Sequence, residues 1–278
     1  MKKLIFLSLG LAMNCLPIMA QSKEEVLPFL NGEYVYEYLR ESKMSMGGNV
    51  ISESRTETEY DNNNNIIRMT VYTNGDKTSE TTDYKYGNRT MSNVSNSYMN
   101  GQKTSTIKTK NTYADDIYRN ILVSEIEMDI MGNISNQRNE WEYDNNGRII
   151  GMKQYQNGEL SKEQKDYIWT PNSCEYVEVS YFPMQSTDKV SKKFQDDNYV
   201  QNVLETHEID MNGMKTNSRS EFTYNDKGNI DSMKGYTNEQ LTMEWKDYIW
   251  GDKKNTHKEI MYMNGSPSSI SEVTQYYK

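Results

Sequence analysis

Three stretches of this chain are copies of one another, and that duplication constrains its fold more than any other feature. Tyr60-Asp61, Tyr143-Asp144 and Tyr224-Asn225 follow one another at offsets of 83 and 81 residues. The same offsets relate Tyr72, Tyr155 and Tyr236, and Asp83-Tyr84, Asp166-Tyr167 and Asp247-Tyr248. They recur at Tyr98, Tyr181 and Tyr262, at Glu57, Glu140 and Glu221, and at Glu80, Glu163 and Glu244. The spacing predicts three units, near 34–116, 117–197 and 198–278, after a lead-in over 21–33.

A period above 80 residues is too long for one solenoid rung, so each unit must hold several elements. Turn signals count them. Asn74-Gly75, Asn100-Gly101, Asn157-Gly158, Asn212-Gly213 and Asn264-Gly265 are Asn-Gly pairs, the strongest short-range hairpin signal. With Gly47-Gly48, Gly132-Asn133, Asp61-Asn62 and their equivalents, they divide each unit into about six strands, about eighteen in all. No convincingly capped helix is legible; Lys23–Leu30 and Gln195–Val203 are short and ambiguous.

Alternation within the strands sets aromatic against acidic positions. Trp141 and Tyr143 share one face while Glu140 and Glu142 take the other; Phe222 with Tyr224, Tyr167 with Trp169, and Tyr248 with Trp250 repeat the pattern. Most remaining strand positions are Thr, Ser, Lys or Glu, too polar for the dense aliphatic interior of a sandwich. The fold class is therefore all-β: an antiparallel meander of about eighteen strands, either a single-layer twisted sheet or a large soluble barrel. The rings Trp141, Tyr143, Tyr167, Trp169, Phe222, Tyr224, Tyr248 and Trp250 are the candidate binding face, since a thin sheet leaves aromatics available to stack on a ligand. Trp169, just before Thr170-Pro171-Asn172, is expected to have fewer neighbours than Trp141 in mid-strand.

The first twenty residues differ from the rest. Lys2 and Lys3 precede an apolar run from Leu4 to Met13, and Ala20 ends the segment, the pattern of a signal peptide over 1–20. The formal net charge of −9 becomes more negative when those lysines are removed. Nucleic acid is a poor electrostatic partner for such a chain. Of the two cysteines only Cys174 lies beyond the leader, so no disulfide within the mature chain is expected. An outer-membrane barrel needs an apolar lipid-facing band on its strands, and Thr78–Asp83 and Lys103–Lys110 supply none, so the chain is expected not to span a membrane.

Chemistry is sparse. His207 and His257 do not recur and have no ligand partner at metal spacing, so neither metal nor cofactor is expected. The triplicated acids could in principle act as paired carboxylates, but catalytic acids are not needed three times over. The expected role is non-enzymatic: a secreted β-repeat protein of the periplasm, outer surface or extracellular space, structural or binding a glycan or protein at the cell envelope. A secreted polysaccharide hydrolase using paired carboxylates is the alternative.

The segment Tyr143-Asp144-Asn145-Asn146-Gly147-Arg148, with Tyr155 and Asn157-Gly158 downstream, resembles the tyrosine–aspartate repeats of Rhs-type proteins, and the overall style resembles secreted Bacteroidetes proteins. The resemblance implies β-hairpins that stack into shells or sheets. The Tyr-Asp spacing here is about four times longer than in large Rhs proteins, and no toxin domain follows.

Overall fold

The computed structural model describes residues 36–278 except 116–119, 183, 198 and 200; the expected leader 1–20, the lead-in 21–33 and Lys23–Leu30 lie outside the described residues. The chain forms eighteen antiparallel strands. The first six are β1 (Glu37–Met46), β2 (Asn49–Tyr60), β3 (Ile66–Thr73), β4 (Asp76–Gly87), β5 (Thr90–Met99) and β6 (Gln102–Tyr113). Then come β7 (Ile121–Ile130), β8 (Asn133–Tyr143), β9 (Ile149–Gln156), β10 (Glu159–Thr170), β11 (Ser173–Ser180) and β12 (Ser186–Phe194). The last six are β13 (Asn202–Met211), β14 (Met214–Tyr224), β15 (Ile230–Thr237), β16 (Gln240–Gly251), β17 (Lys254–Met263) and β18 (Ser266–Tyr277).

Each strand pairs with the next, and β1 also pairs with β18 from Glu37↔Tyr277 to Ser45↔Ile270. The ring is closed, which decides between the two architectures the sequence left open. It also corrects the Rhs resemblance. The resemblance implied hairpins stacked into shells or sheets, whereas here the last edge is hydrogen-bonded to the first and the strands form one closed ring.

One end of the ring consists of tight turns. At eight of its nine hairpins both central residues have positive φ, as in Asn74 (52°) and Gly75 (86°) or Asn157 (50°) and Gly158 (87°). This is the type I′ geometry whose twist matches the flanking strands. Asn side chains reinforce it: Asn74 Oδ1 accepts the Glu53 N–H at 2.8 Å, and Asn157 Oδ1 accepts the Asn136 N–H at 2.8 Å. Asn238-Glu239 makes such a turn without glycine, with φ of 47° and 64°, and was not legible beforehand.

The other end is mixed: two-residue turns join β4–β5, β10–β11 and β16–β17, and three of its longer loops share one device. The Asp144 carboxylate accepts the Asn146 and Arg148 backbone N–H groups at 2.8 and 2.9 Å, and Arg148 Nε at 2.7 Å. Asp61 accepts the Asn63 and Asn65 N–H groups in the same way, and Asn225 those of Lys227 and Asn229. These hydrogen bonds favour the ionised acid, holding the Asp144 carboxyl below its ordinary range, chiefly through the Arg148 backbone N–H.

Register assigns every side chain to one of two faces. Met91, Asn111, Tyr113, Cys174, Val190, Met233, Asn255, His257, Val273 and Gln275 are buried and share one face. The opposite face bears solvent-exposed ion pairs, among them Lys43–Glu53 (3.0 Å), Lys108–Glu127 (2.7 Å) and Arg138–Glu140 (2.7 Å). Curving a sheet into a ring crowds side chains on the concave side and spreads them on the convex side. The buried face is therefore the inner wall and the ion-paired face the outer one; Thr70 and Ile260 are outer residues that are nonetheless buried. Every strand touches only its two ring neighbours, so among the described residues no element crosses the interior.

Asp83, Asp166 and Asp247 sit at register shifts in β4, β10 and β16 with φ of 54°, 58° and 57°. Each bulge resets the alternation so that Tyr84 and Tyr86, Tyr167 and Trp169, and Tyr248 and Trp250 turn inward. A β-branched side chain at such a φ is disfavoured by about 1–2 kcal/mol. Asp166→Gly is therefore expected to unfold in urea at the wild-type midpoint or above, and Asp166→Val at a clearly lower one. The acid-sensitive loop gives a second expectation. A carboxyl with a depressed folded pKa adds stability that is present above its unfolded pKa, near 3.8, and is lost as pH falls through the folded value. Asp144→Asn keeps the backbone bonds that Asn225 already makes. The stability gap between wild type and this variant should shrink as pH falls from 6 toward 2, followed by urea titration at each pH.

Candidate functional site

The aromatic candidates all lie on the inner wall toward the loop end, and four of the eight, Tyr143, Trp169, Tyr224 and Trp250, are tied to the backbone of a neighbouring strand, as are Tyr60 and Tyr86. The Tyr143 hydroxyl donates to the Ile121 carbonyl at 2.9 Å, and Tyr60 and Tyr224 donate to Glu37 and Asn202 at 2.8 and 3.0 Å. Trp169 Nε1 donates to Ile149 at 2.8 Å, Trp250 Nε1 to Ile230 at 2.9 Å, and the Tyr86 hydroxyl to Ile66 at 2.9 Å. A ring whose polar tip is anchored in this way presents its face to the interior at low entropic cost.

The rings also contact one another. Tyr167 stacks on Tyr176 with centroids 4.7 Å apart, and Tyr248 stacks on His257 at 4.5 Å. Trp169 meets Tyr199 edge-on at 4.8 Å, and Arg148 lies over Trp169 at 5.7 Å. Tyr199 reaches this position from the loop after β12 with a φ of 59°, an unusual backbone state for an aromatic residue. Trp169 is thus better packed than its place beside a turn suggested. Phe222 lies opposite Met233, and Trp141 opposite Met152.

One stretch of the inner wall departs from the threefold pattern. On β12 and β13, His207 lies between Asp188 (Nδ1 to Oδ2, 2.7 Å) and Glu205 (Nε2 to Oε1, 3.1 Å). Lys192 pairs with Glu205 at 3.2 Å. Glu178 on β11 binds Lys162 and Gln164 of β10, each at 2.8 Å, and the Tyr167 hydroxyl donates to Gln164 Oε1 at 2.6 Å. His207 had been set aside because it does not recur. Asp188 is brought in by cross-strand register, which leaves no mark in any one segment, while Glu205 lies two residues away on the same strand. A second charged group lies on β1 and β17, where Arg40 pairs with Glu37 at 3.5 Å and His257 with Glu259 at 3.3 Å; between the two groups the wall is hydrogen-bonding, with Thr81 and Ser95 joined at 3.1 Å and Gln137 and Asn139 at 3.1 Å.

The triplicated acids lie on the outer wall beside basic or phenolic partners. Arg55 pairs with Glu57 at 2.7 Å and Arg219 with Glu221 at 3.4 Å. Tyr181 donates to Glu163 at 2.6 Å and Tyr262 to Glu244 at 2.9 Å. These acids serve pairing along and between strands on the outer wall, which removes the basis for the polysaccharide-hydrolase alternative. Among the described residues no group of three or more His, Cys, Asp or Glu side chains is arranged to hold a metal ion. No described helix is long and apolar enough to cross a membrane, which says nothing of a barrel. Cys174 is buried and its thiol is pushed up to about 11 by burial.

Truncation of the two candidate tryptophans should follow these contacts. Trp169→Ala removes a half-buried hydrogen bond, the stacked Tyr167 contact and the Tyr199 edge contact, and is expected to cost about 2–4 kcal/mol. Trp141→Ala is expected to cost less, and urea unfolding of the pair ranks them.

No family model matches the chain, and no curated protein matches it. Among solved structures it is similar to a porin-like protein from Bacteroides uniformis ATCC 8492, at 7% identity and a TM-score of 0.43, over 88% of this chain and 98% of that one. It is also similar to a porin-like protein from Bacteroides vulgatus ATCC 8482, at 8% identity and a TM-score of 0.38, over 88% and 99%. The closed eighteen-strand ring corrects the expectations of function and place. The single open layer from which a glycan- or protein-binding sheet was expected is not formed. Exclusion of a membrane span had been read from single segments, Thr78–Asp83 and Lys103–Lys110. A closed ring of antiparallel strands is one of the two architectures able to cross a membrane, so exclusion by single segments does not stand. The placement in the periplasm, at the outer surface or outside the cell falls with it.

Proposed function

We propose that this chain is a non-catalytic conduit, a closed β-barrel whose interior passes water and small hydrophilic solutes. The observation that carries the reading is closure of eighteen strands around a hydrogen-bonding inner wall that no described element crosses. A ring of eighteen strands about 4.8 Å apart has a perimeter of at least about 86 Å, and barrels of 16–18 strands are wide enough for an aqueous channel. In this reading Trp141, Tyr143, Tyr167, Trp169, Phe222, Tyr224, Tyr248 and Trp250 narrow the passage at the loop end, where anchored rings meet a passing solute. The charged stretch on β10 to β13 biases which ions enter. The barrel is proposed to be three copies of a six-strand unit, 34–116, 117–197 and 198–278. That count is supported by the anchored Tyr60, Tyr143 and Tyr224 and by the bulges at Asp83, Asp166 and Asp247.

Reconstitution into planar bilayers and solute-loaded liposomes tests the reading, and the ion-paired outer wall makes the test a stringent one. Stepwise conductance and entry of small sugars are expected. Lys162→Glu with Lys192→Glu, both on the inner wall, should shift reversal potentials toward cation preference. Protein that leaves the lipid and conducts no more than bare bilayer would falsify the conduit.

A further inference from the structure

Every methionine that falls within a strand takes an inner-wall position, and none takes an outer one. Leucine, which exchanges with methionine in packing at little cost, behaves in the opposite way. Leu39, Leu160, Leu204 and Leu241 all face outward. Side-chain volume does not separate the two residues so cleanly. What distinguishes methionine is its thioether, a polarisable sulfur on a flexible stem.

The thioethers converge at the turn end of β16, β17 and β1. Met243 and Met261 are direct cross-strand partners. On its other side Met261 pairs with Ser269 of β18. Ser45 pairs with Ile270, so the closing ladder brings Met46 level with Ser269. One row along the inner wall therefore reads Met243, Met261, Ser269, Met46. The period of two adds Met263 and Met44 to the same face, each one step along its strand from the row.

The serine is what makes the row a candidate ligand set. Strands about 4.8 Å apart place the backbones of Met261 and Met46 about 10 Å from each other, on either side of β18. Ser269 is too short to fill that space, and the concave wall tips both methionines toward it. Two flexible thioethers can reach one ion over the serine, each metal–sulfur bond being about 2.3 Å. These side chains are not spent on filling a core: Met46 is 52% exposed, Met261 47% and Met263 68%. Glu259, the next inner-wall residue along β17, adds a carboxylate beside the row, which favours a cation there.

We propose that Met243, Met261 and Met46 form a binding site for Cu(I), with Met44 and Met263 flanking it. Thioethers are soft, neutral donors. They select Cu(I) over the hard ions that carboxylates and carbonyls hold and over Zn(II), which takes imidazole and thiolate. The site draws on none of the His, Cys or Asp side chains of the chain, and it depends on closure, since Met46 joins Met261 only across the β1–β18 seam. The inference rests on strand register and not on passage of solutes. Copper binding without conductance would sink the conduit and leave this site standing.

The test is anaerobic titration of the full mature chain with Cu(I) against a colorimetric Cu(I) chelator, on wild type and on Cys174→Ala, which removes the thiol as a competing ligand. Both chains should hold Cu(I), and X-ray absorption of the Cys174→Ala complex should show sulfur neighbours. Met46→Leu with Met261→Leu keeps the side-chain volume and should keep the thermal midpoint, while weakening Cu(I) binding by at least about ten-fold in either background. Met243→Leu alone is a second variant with the same expected direction. Met91→Leu, on the inner wall at the buried end of β5, should bind as wild type does. No uptake by folded Cys174→Ala, a metal shell of nitrogen and oxygen alone, displacement by an equal concentration of Zn(II), or a folded Met46→Leu, Met261→Leu chain that binds as tightly as its parent would each overturn the proposal. If Cys174→Ala does not fold, the wild-type background decides by the same comparison.

Discussion

The β1–β18 ladder is the interaction on which the rest of this structure depends. A strand edge is a row of unpaired amide and carbonyl groups, costly if buried and adhesive if exposed. An open meander of eighteen strands would carry two such edges and an unusually wide sheet. Joining Glu37–Ser45 to Ile270–Tyr277 removes both edges at once. It also lets a chain poor in aliphatics fold without a two-sheet core. Each side chain need only satisfy the neighbours on its own face, through cross-strand pairs individually worth about 0.2–1 kcal/mol.

Closure gives the two faces different tasks. Crowding on the inner wall favours groups that pack flat and hydrogen-bond sideways, hence the Ser, Thr, Asn and Gln positions and the rings anchored to carbonyls. The outer wall is spread and wet, and long Lys, Arg and Glu side chains reach across it to partners. Exposed pairs of this kind contribute little each, so the outer wall stabilises the barrel less through any single bridge than through solubility and register. Lys opposite Glu and Arg beside Glu penalise a one-residue slip, which would turn charges inward.

Strand number and turn positions were legible in the sequence because they are local. Asn-Gly pairs and the Tyr-Asp loops announce themselves within a few residues, and alternation correctly put Trp141 with Tyr143 and Tyr167 with Trp169. Closure was not legible, because pairing β1 with β18 is a relation between segments more than 220 residues apart and neither strand differs visibly from its neighbours. The inner-wall cluster of His207, Asp188, Glu205 and Lys192 was hidden for the same reason. Repetition, which made the strands readable, also misdirected attention: the residues that break the pattern proved to have the denser contacts. Tyr199 escaped notice for another reason: it recurs, 81 residues after Tyr118, but it covers Trp169 from a loop outside the strand framework.

The seam has a further consequence for how the molecule comes to exist. Neighbouring strands can zip up as hairpins soon after they are made, because their contacts are separated by only a few residues. The final ladder cannot form until β18 is available, and its loop-closure entropy is the largest in the chain. Until then the N-terminal edge at β1 and the growing edge opposite it both stay sticky. The barrel is therefore a structure whose parts assemble early and locally but whose protection from aggregation arrives late and all at once, with its last strand.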